Sequence, residues 1–411
     1  MDSAIASLYR EHYGRILAAL IRALGSFELA EDALADAFAA AVEQWPREGT
    51  PRNPAGWIAA TARHKAIDKA RRQSWFGARR DEIQRLIEFE MSADANDDTD
   101  SLPDERLRLI FTCCHPAINR DAQVALSLRT LCGLTTEEIA RAFITPASTM
   151  AQRIVRAQRK IRTAGIPYEV PSNEALPERL ESVMAVIYLV FNEGYFASSG
   201  DTVVRKELCA EAIRLARILV TLMPQESELR GLLALMLLHD SRRDTRTDTN
   251  GDMVLLEDQD RRRWDHRQIG DGLALVKEAF TIHSPGPYAI QAAIGAEHAR
   301  ARRAEDTDWA RIAQLYAMLL EIQQTPIIAL NYAVAIAMAY GPGRGLALIE
   351  DLEASGDLED YYLMWSAKAE LLRRMGNFSA AASSYRRALT VVSNTADRRF
   401  LTRRLREVEA R

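Results

Sequence analysis

Gln152, Arg153, Arg156, Arg159 and Lys160 recur along a short stretch that also carries Met150, Ile154, Ala157 and Ile161 at steps of three and four. Guanidinium and carboxamide groups in that number donate hydrogen bonds to base edges and phosphate oxygens, so the chemistry they fit is the reading of duplex DNA. Thr149 adds a hydroxyl at the start of the same stretch, and from Ile139 to Tyr168 there is no Asp or Glu to cancel the field. A second set of the same kind lies upstream, where Arg63, His64, Lys65, Lys69, Arg71 and Arg72 are opposed only by Asp68. The chain as a whole carries a formal charge of -4 over 411 residues with an isoelectric point near 6.1, so any affinity for nucleic acid has to be local to these two stretches.

The downstream set needs a short helix, a tight turn and a second helix to position it. Thr135 is placed to cap the first helix, with Glu137 and Glu138 in its opening turn where carboxylates are favoured by the helix dipole. Leu134, Ile139, Ala140 and Phe143 give it one apolar face. Thr145 then reads as a cap and Pro146 as the first residue of the next helix, whose apolar stripe turns the basic side chains outward. A short helix followed by a basic one is the arrangement that enters a major groove.

Three helices are expected before it. The first carries Leu8, Tyr13, Ile16, Leu17, Leu20, Ile21 and Leu24 and stops at Gly25. The second sets Glu28, Glu31, Asp32 and Asp36 against a buried side of Leu29, Ala33, Leu34, Ala37, Phe38, Ala41 and Val42, and reads as ending at Trp45, with 46–54 a loop. The third starts near Pro54, with Trp57, Ile58, Thr61, Ala62 and Ile67 able to face a core while the upstream basic set faces out.

Taken in order, these stretches resemble the sigma-70 family of bacterial RNA polymerase sigma factors. Ala-Glu-Asp-Ala-Leu-Ala-Asp-Ala-Phe at 30–38 looks like the helix by which that family grips the polymerase clamp. Trp57-Ile-x-x-x-Ala-Arg-His-x-x-x-Asp68-x-x-Arg71-Arg72 looks like its promoter-melting helix. Glu137-Glu-Ile-Ala with Pro146, Thr149 and Arg153 is similar to its second DNA-reading domain. The short, two-domain form resembles the extracytoplasmic-function group. The resemblance implies that Glu31, Asp32, Leu34, Asp36 and Phe38 contact core polymerase. It implies that Arg52, Asn53, Trp57, Arg63, His64, Lys65, Lys69, Arg71 and Arg72 hold the melted -10 element, and that Thr149, Gln152, Arg153, Arg156, Arg159 and Lys160 read the -35 element. The partners implied are core RNA polymerase and promoter DNA, with no membrane, cofactor, metal or catalytic residue. The chain departs from the family at Ile144 and Ser148, where glycines are usual, at Ala151, where a base is common, and at His64, where Asn is common.

The fold expected is all-α. Its parts are a region 2-like domain over 1–75, an acidic linker over 76–103, a region 4-like helix-turn-helix domain over 104–165, a second linker over 166–176, and a helical-repeat domain over 177–411. Asp94, Asp97, Asp98 and Asp100 keep the first linker extended by like charge. Four cysteines without even spacing, Cys113, Cys114, Cys132 and Cys209, argue against a disulfide framework and fit a reducing cytoplasm; the adjacent pair reads as core packing rather than a metal site. No export signal and no charge-free span of membrane length is read.

In the carboxy-terminal half, Trp365, Ala369, Gly376, Phe378, Ala381, Tyr385 and Ala388 match the spacing of a tetratricopeptide repeat. Earlier helical pairs, 331–352 and 208–239, are less regular. Asn250-Gly251 reads as a two-residue turn; its glycine falls too early for a calcium loop built on Asp248, Asn250 and Asp252. Phe191 to Tyr195 and the cluster His239, Asp240, Gln259, Asp260, Arg261 and Trp264 resemble marked motifs of an extension found on some sigma factors, and fit either a buried polar network or a binding site. That extension is expected to dock on the two DNA-binding domains and control them. The rival reading is a helix-turn-helix regulator that binds duplex without polymerase and uses the repeat half as a sensor. No nucleotide-phosphate loop, metal triad or activated nucleophile points to an enzyme.

Overall fold

The computed structural model describes residues 2–73, 105–143, 145–172, 174–196, 202–248, 254–392 and 395–411. Eighteen α-helices and short 3-10 turns make up the regular structure of these residues, and none of the helices is long and apolar enough to cross a membrane. The chain divides into two compact units, Met1–Val190 and Phe191–Arg411. Of the expected linkers, 76–103 falls outside the described residues, and 166–176 lies inside the first unit, where Thr112 Oγ1 donates to the carbonyl of Pro167 at 3.2 Å and Arg179, just beyond it, donates to that of Phe111.

The first unit begins with α1 (Asp2–Leu24), α2 (Phe27–Glu48) and α3 (Pro54–Gln73), which pack on one another. Gly25, at φ 63°, ends α1, and Ser26 caps α2 by accepting from the Leu29 amide at 3.4 Å. The helix α2 runs three residues past Trp45 with Pro46 inside it. The expected loop therefore starts later, at Gly49, whose amide closes on the Trp45 carbonyl at 3.0 Å. Leu17, Leu34, Ala37, Ile58 and Ala62 form the core of this group, while Val42, expected inward, is 53% exposed and Ala30 takes an inward place.

Next come α4 (Arg106–Cys113), α5 (Arg120–Thr130), α6 (Thr136–Ala142) and α7 (Ala147–Thr163). Thr135 and Glu138 make a reciprocal capping box, the Glu138 amide to Thr135 Oγ1 at 3.1 Å and the Thr135 amide to Glu138 Oε2 at 2.7 Å. Thr145 does not cap α7. Its hydroxyl turns back to the Phe143 carbonyl at 3.0 Å, and Pro146 takes the cap position with no side-chain bond, needing none for its own missing amide. Met150, Ile154, Ala157 and Ile161 are all buried, as their spacing requires. The four cysteines are buried and unbridged; Cys113 and Cys114 pack against Thr130 and Ser127 hydroxyls at 3.3 and 3.6 Å. Burial pushes the Cys114 thiol up to about 12, so it stays protonated.

The helix α8 (Leu176–Phe196) spans the division between the units. The second unit continues with α9 (Thr202–Leu222), α10 (Ser227–Asp240), α11 (His266–Ile282), α12 (Pro287–Arg300), α13 (Trp309–Ile322), α14 (Pro326–Tyr340), α15 (Pro342–Ser355), α16 (Tyr362–Arg374), α17 (Phe378–Val391) and α18 (Thr395–Glu409). From α9 to α18 each helix packs on the next. α10 is held by α9, α11 and α12 at once, which explains why Leu229 and every residue from Gly231 to Leu238 are buried. The hairpin of α16 and α17 has the expected turn, Gly376 at φ 79° followed by Asn377, whose side chain caps α17 at the Ala380 amide, and Ala369, Ala381, Tyr385 and Ala388 face its core.

Candidate nucleic-acid and polymerase interface

On α7 the apolar stripe fixes which residues are free to touch a ligand. Thr149, Gln152, Arg156, Arg159 and Lys160 are exposed, and Arg153 is half-buried with Nη1 3.7 Å from Asp121 Oδ2 of α5. Of the six residues expected to read the -35 element, five therefore stand clear of the protein, and Arg153 has a carboxylate to leave before it can serve DNA. On α3, His64 and Lys65 are exposed and Arg63 half-exposed; the side chains of Lys69, Arg71 and Arg72 lie outside the described residues. Trp57 is half-buried, meeting Trp45 edge-on at 5.5 Å between ring centroids. Arg52 is exposed, whereas the Asn53 carboxamide is turned to the protein, accepting the Gly56 amide at 3.0 Å as the cap of α3.

The polymerase-facing set needs correction. Leu34 is 0% and Phe38 6% exposed, so neither presents itself to a partner; both supply the core that holds α2 in place, and Phe38 also meets Tyr9 at a tilt, with ring centroids 4.8 Å apart. Asp32 is exposed and Asp36 half-buried. Glu31 is covered by the helix-turn-helix half, its Oε1 3.7 Å from Arg129 Nε of α5. Burial pushes its carboxyl above the usual carboxylate range, against the pull of Arg129.

That contact belongs to a seam between α1–α3 and α4–α7 that sequence reasoning did not find. Gly14 lies so close to α5's end that a Cβ there would sit 2.4 Å from the Leu131 carbonyl oxygen. Gly133, at φ 69°, lets the chain pass under Tyr9 and Tyr13. Glu105 pairs with Arg22, and Tyr168 donates to the Ala18 carbonyl at 2.9 Å. Glu31 Oε1, 3.7 Å from Arg129 Nε, also faces the Gln158 carboxamide of α7 across the seam, and neither Glu31 Oε1 nor Gln158 Nε2 closes a well-formed hydrogen bond there.

In the second unit, the motif cluster forms a buried polar network. Trp264 Nε1 donates to Thr245 Oγ1 at 3.0 Å, which donates to Gln259 Oε1 at 3.3 Å, while Asp240 takes Arg243 and Gln268 Nε2. Arg246 lies over the Tyr195 ring at 3.6 Å. These contacts take in Asp240, Gln259 and Trp264; His239 meets the Tyr195 ring edge-on, Asp260 pairs with Arg262, and Arg261 donates to backbone carbonyls. No group of three or more His, Cys, Asp or Glu among the described residues is arranged to hold a metal ion. The Asn250-Gly251 turn lies outside the described residues.

Residues 8–76, the helices α1–α3, match the family described as sigma-70 region 2, and residues 179–280 match a family of unknown function, DUF6596. The region 2 match supports a sigma-70 family protein with a role in transcription initiation. The uncharacterized protein R00370 of Rhizobium meliloti (strain 1021) is 41% identical over 419 residues, covering 100% of this chain and 96% of its own length. The chain belongs to the same family as that protein. No solved structure matches it.

Proposed function

We propose that this protein is a sigma factor of the extracytoplasmic-function type, in which α3 holds the melted -10 element, α7 reads the -35 element and the second unit, a tetratricopeptide-like array, controls access to both. The observation that carries the reading is the pairing, in one chain, of a region 2 match over α1–α3 with a downstream helix-turn-helix whose second helix buries its apolar stripe and exposes Gln152, Arg156, Arg159 and Lys160. Bases in a duplex are read by donors of this kind standing clear of the protein, and a single strand is held by cations along its backbone.

The covered position of Glu31 supports a second element of the proposal. The seam is a resting arrangement, and polymerase takes the acidic face of α2 when the two halves of the first unit part. Glu31 reaches Arg129 and Gln158 without closing a well-formed hydrogen bond to either, so parting the seam at this point breaks less than parting a fully bonded interface.

Run-off transcription with bacterial core polymerase tests this on a library of random upstream sequences. A sigma factor yields start sites that share spaced upstream elements, and Gln152→Ala with Arg156→Ala changes which sequences are enriched. Enrichment of duplex sequences by the protein alone, with no transcript when core polymerase is added, would instead establish a polymerase-independent regulator.

A further inference from the structure

The helical hairpins of the second unit enclose a cavity of about 770 Å³, within the range of small-molecule sites. Leu330, Val334 and Met338 of α14 line one wall, and Trp309, Tyr361 and Phe400 contribute aromatic surface. Six charged residues also reach it, and their pairing is uneven. Glu370 and Glu257 are held by Arg374 at 2.9 and 3.3 Å, Glu305 by Arg303 at 3.3 Å, and Arg404 by Glu407 at 2.9 Å. Arg261 has no carboxylate within 4.0 Å among the described residues, although it is only 8% exposed.

A buried guanidinium with no carboxylate in contact is costly, and this one is only partly compensated, by Asp306 and Glu305 acting from beyond ion-pair distance. Its Nη1 donates to the carbonyls of His298 and Ala301 at the end of α12, at 2.5 and 2.9 Å, and its carbon lies 4.8 Å from the Trp264 ring centroid. A helix end supplies about half an elementary charge, so a whole positive charge is not cancelled. Nε is left buried without an acceptor, and so is Nδ1 of His298, which meets Trp309 edge-on at 5.2 Å. The wall thus holds one unspent charge and two unmet polar atoms side by side, next to a broad apolar surface.

We propose that this cavity binds a small amphipathic anion, with its carboxylate or phosphate on Arg261 and His298 and its apolar body across Leu330, Val334 and Met338. The anion completes the hydrogen bonds that the fold leaves open, and the apolar body displaces water from the α14 wall, so neither part alone explains the lining.

Calorimetric titration of the full chain with decanoate, decyl phosphate and decanol tests this. One saturable site is expected, at which at least one of the two anions binds about tenfold or more tighter than decanol. The stronger of decanoate and decyl phosphate identifies the head group. Arg261→Gln should reduce that preference to about threefold or less, and Met338→Trp, which puts an indole across the α14 wall where the apolar body lies, should abolish binding of all three. Equal binding of decanol and both acids, binding that survives Met338→Trp, or binding only of peptides with a free carboxy terminus would overturn the proposal. If Arg261→Gln fails to fold, His298→Gln and Met338→Trp decide it, since loss of anion preference in the first and of all binding in the second are both required.

Discussion

Glu31 of α2 and Arg129 of α5 face each other at 3.7 Å across the seam of the first unit, with the carboxylate largely covered and not hydrogen-bonded to the guanidinium. The ion pair is one electrostatic link between the region 2 domain and the helix-turn-helix half, beside that of Arg22 with Glu105. A charge reversal at its more exposed partner, Arg129→Glu, puts two carboxylates together in a buried place and should part the seam. Amide exchange at Leu131 and Gly133 is expected to rise by at least about tenfold, equivalent to 1.4 kcal/mol or more, and affinity for core polymerase to increase. Adding Glu31→Ala should remove the gain in affinity while leaving the faster exchange. Unchanged exchange in Arg129→Glu would show that the pair contributes nothing to closure.

Gly14 tests the same seam by shape rather than charge. A Cβ there meets the Leu131 carbonyl oxygen at 2.4 Å, and a backbone atom cannot rotate out of the way. Gly14→Ala should cost about 1–3 kcal/mol of stability, as overpacking does, or should part the seam outright. Gly25→Ala is the control: its φ of 63° penalises a side chain, but nothing lies within 4 Å, so about 1–2 kcal/mol of backbone strain is expected with the seam intact. Denaturant melts read the first effect, and polymerase binding separates the two.

On α7, Arg156 and Arg153 should behave differently despite equal charge. Arg156 is exposed, and Arg156→Ala is expected to weaken promoter binding by about 1–3 kcal/mol and relax preference at one base position. Arg153 must first release Asp121, so its loss should cost less, and Asp121→Asn should strengthen binding. Arg159→Ala and Lys160→Ala should weaken promoter and random duplex alike and lower the salt slope by about 1 each. Footprinting of the polymerase complex at several salt concentrations measures all of these.

Much of this architecture was legible because it rests on local rules. The stripe of Met150, Ile154, Ala157 and Ile161, the Gly25 stop and the Gly376 turn follow from helical period and from the few residues that tolerate a left-handed backbone. What escaped reading depends on contacts between residues far apart in sequence. Nothing near Glu31 in sequence reveals Arg129, and nothing near Gly14 reveals Leu131. Leu34 and Phe38 show a different failure: the family motif marked them for a partner, but their own apolar spacing already placed them inside. At Arg261 the sequence showed an unusual cluster of charge beside Trp264; only the fold shows that Asp240 and Asp260 go to Arg243 and Arg262 and that Arg261 is left with backbone carbonyls.

Gly345 and Gly231 make the second unit's close approaches. A Cβ at Gly345 would meet Ala337 Cβ at 2.4 Å and the Ala333 carbonyl at 2.5 Å, so α14 and α15 cross with no room for a methyl group. Gly345→Ala should therefore cost about 1–3 kcal/mol, where alanine in an open helix position would gain stability. Gly270, on α11 with nothing within 4 Å, is the matched control and should be stabilised by about 1 kcal/mol on the same change. Opposite shifts in melting temperature for the two variants would confirm that contact, not helix propensity, sets the choice of glycine.

The second unit should also lose stability in acid, and His298 gives the window. Burial, followed by the charges of Arg242 and Arg261, lowers its imidazole from 6.5 to about 4. His239 is lowered as well, again chiefly by burial. A group that stays neutral in the folded chain but takes a proton in the unfolded one stabilises the fold fully above 6.5. That contribution is lost progressively as pH falls toward about 4, because the unfolded chain then binds the extra proton. The displacement corresponds to roughly 3 kcal/mol for His298 at the acid end. His298→Gln removes this titration, so its stability should fall less steeply between those two pH values than that of the native chain, while His239 leaves a residual slope. Denaturant melts across the window provide the measurement. Identical slopes for the native chain and His298→Gln would mean that the imidazole is not held neutral by its surroundings, and that its edge contact with Trp309 persists in the charged form.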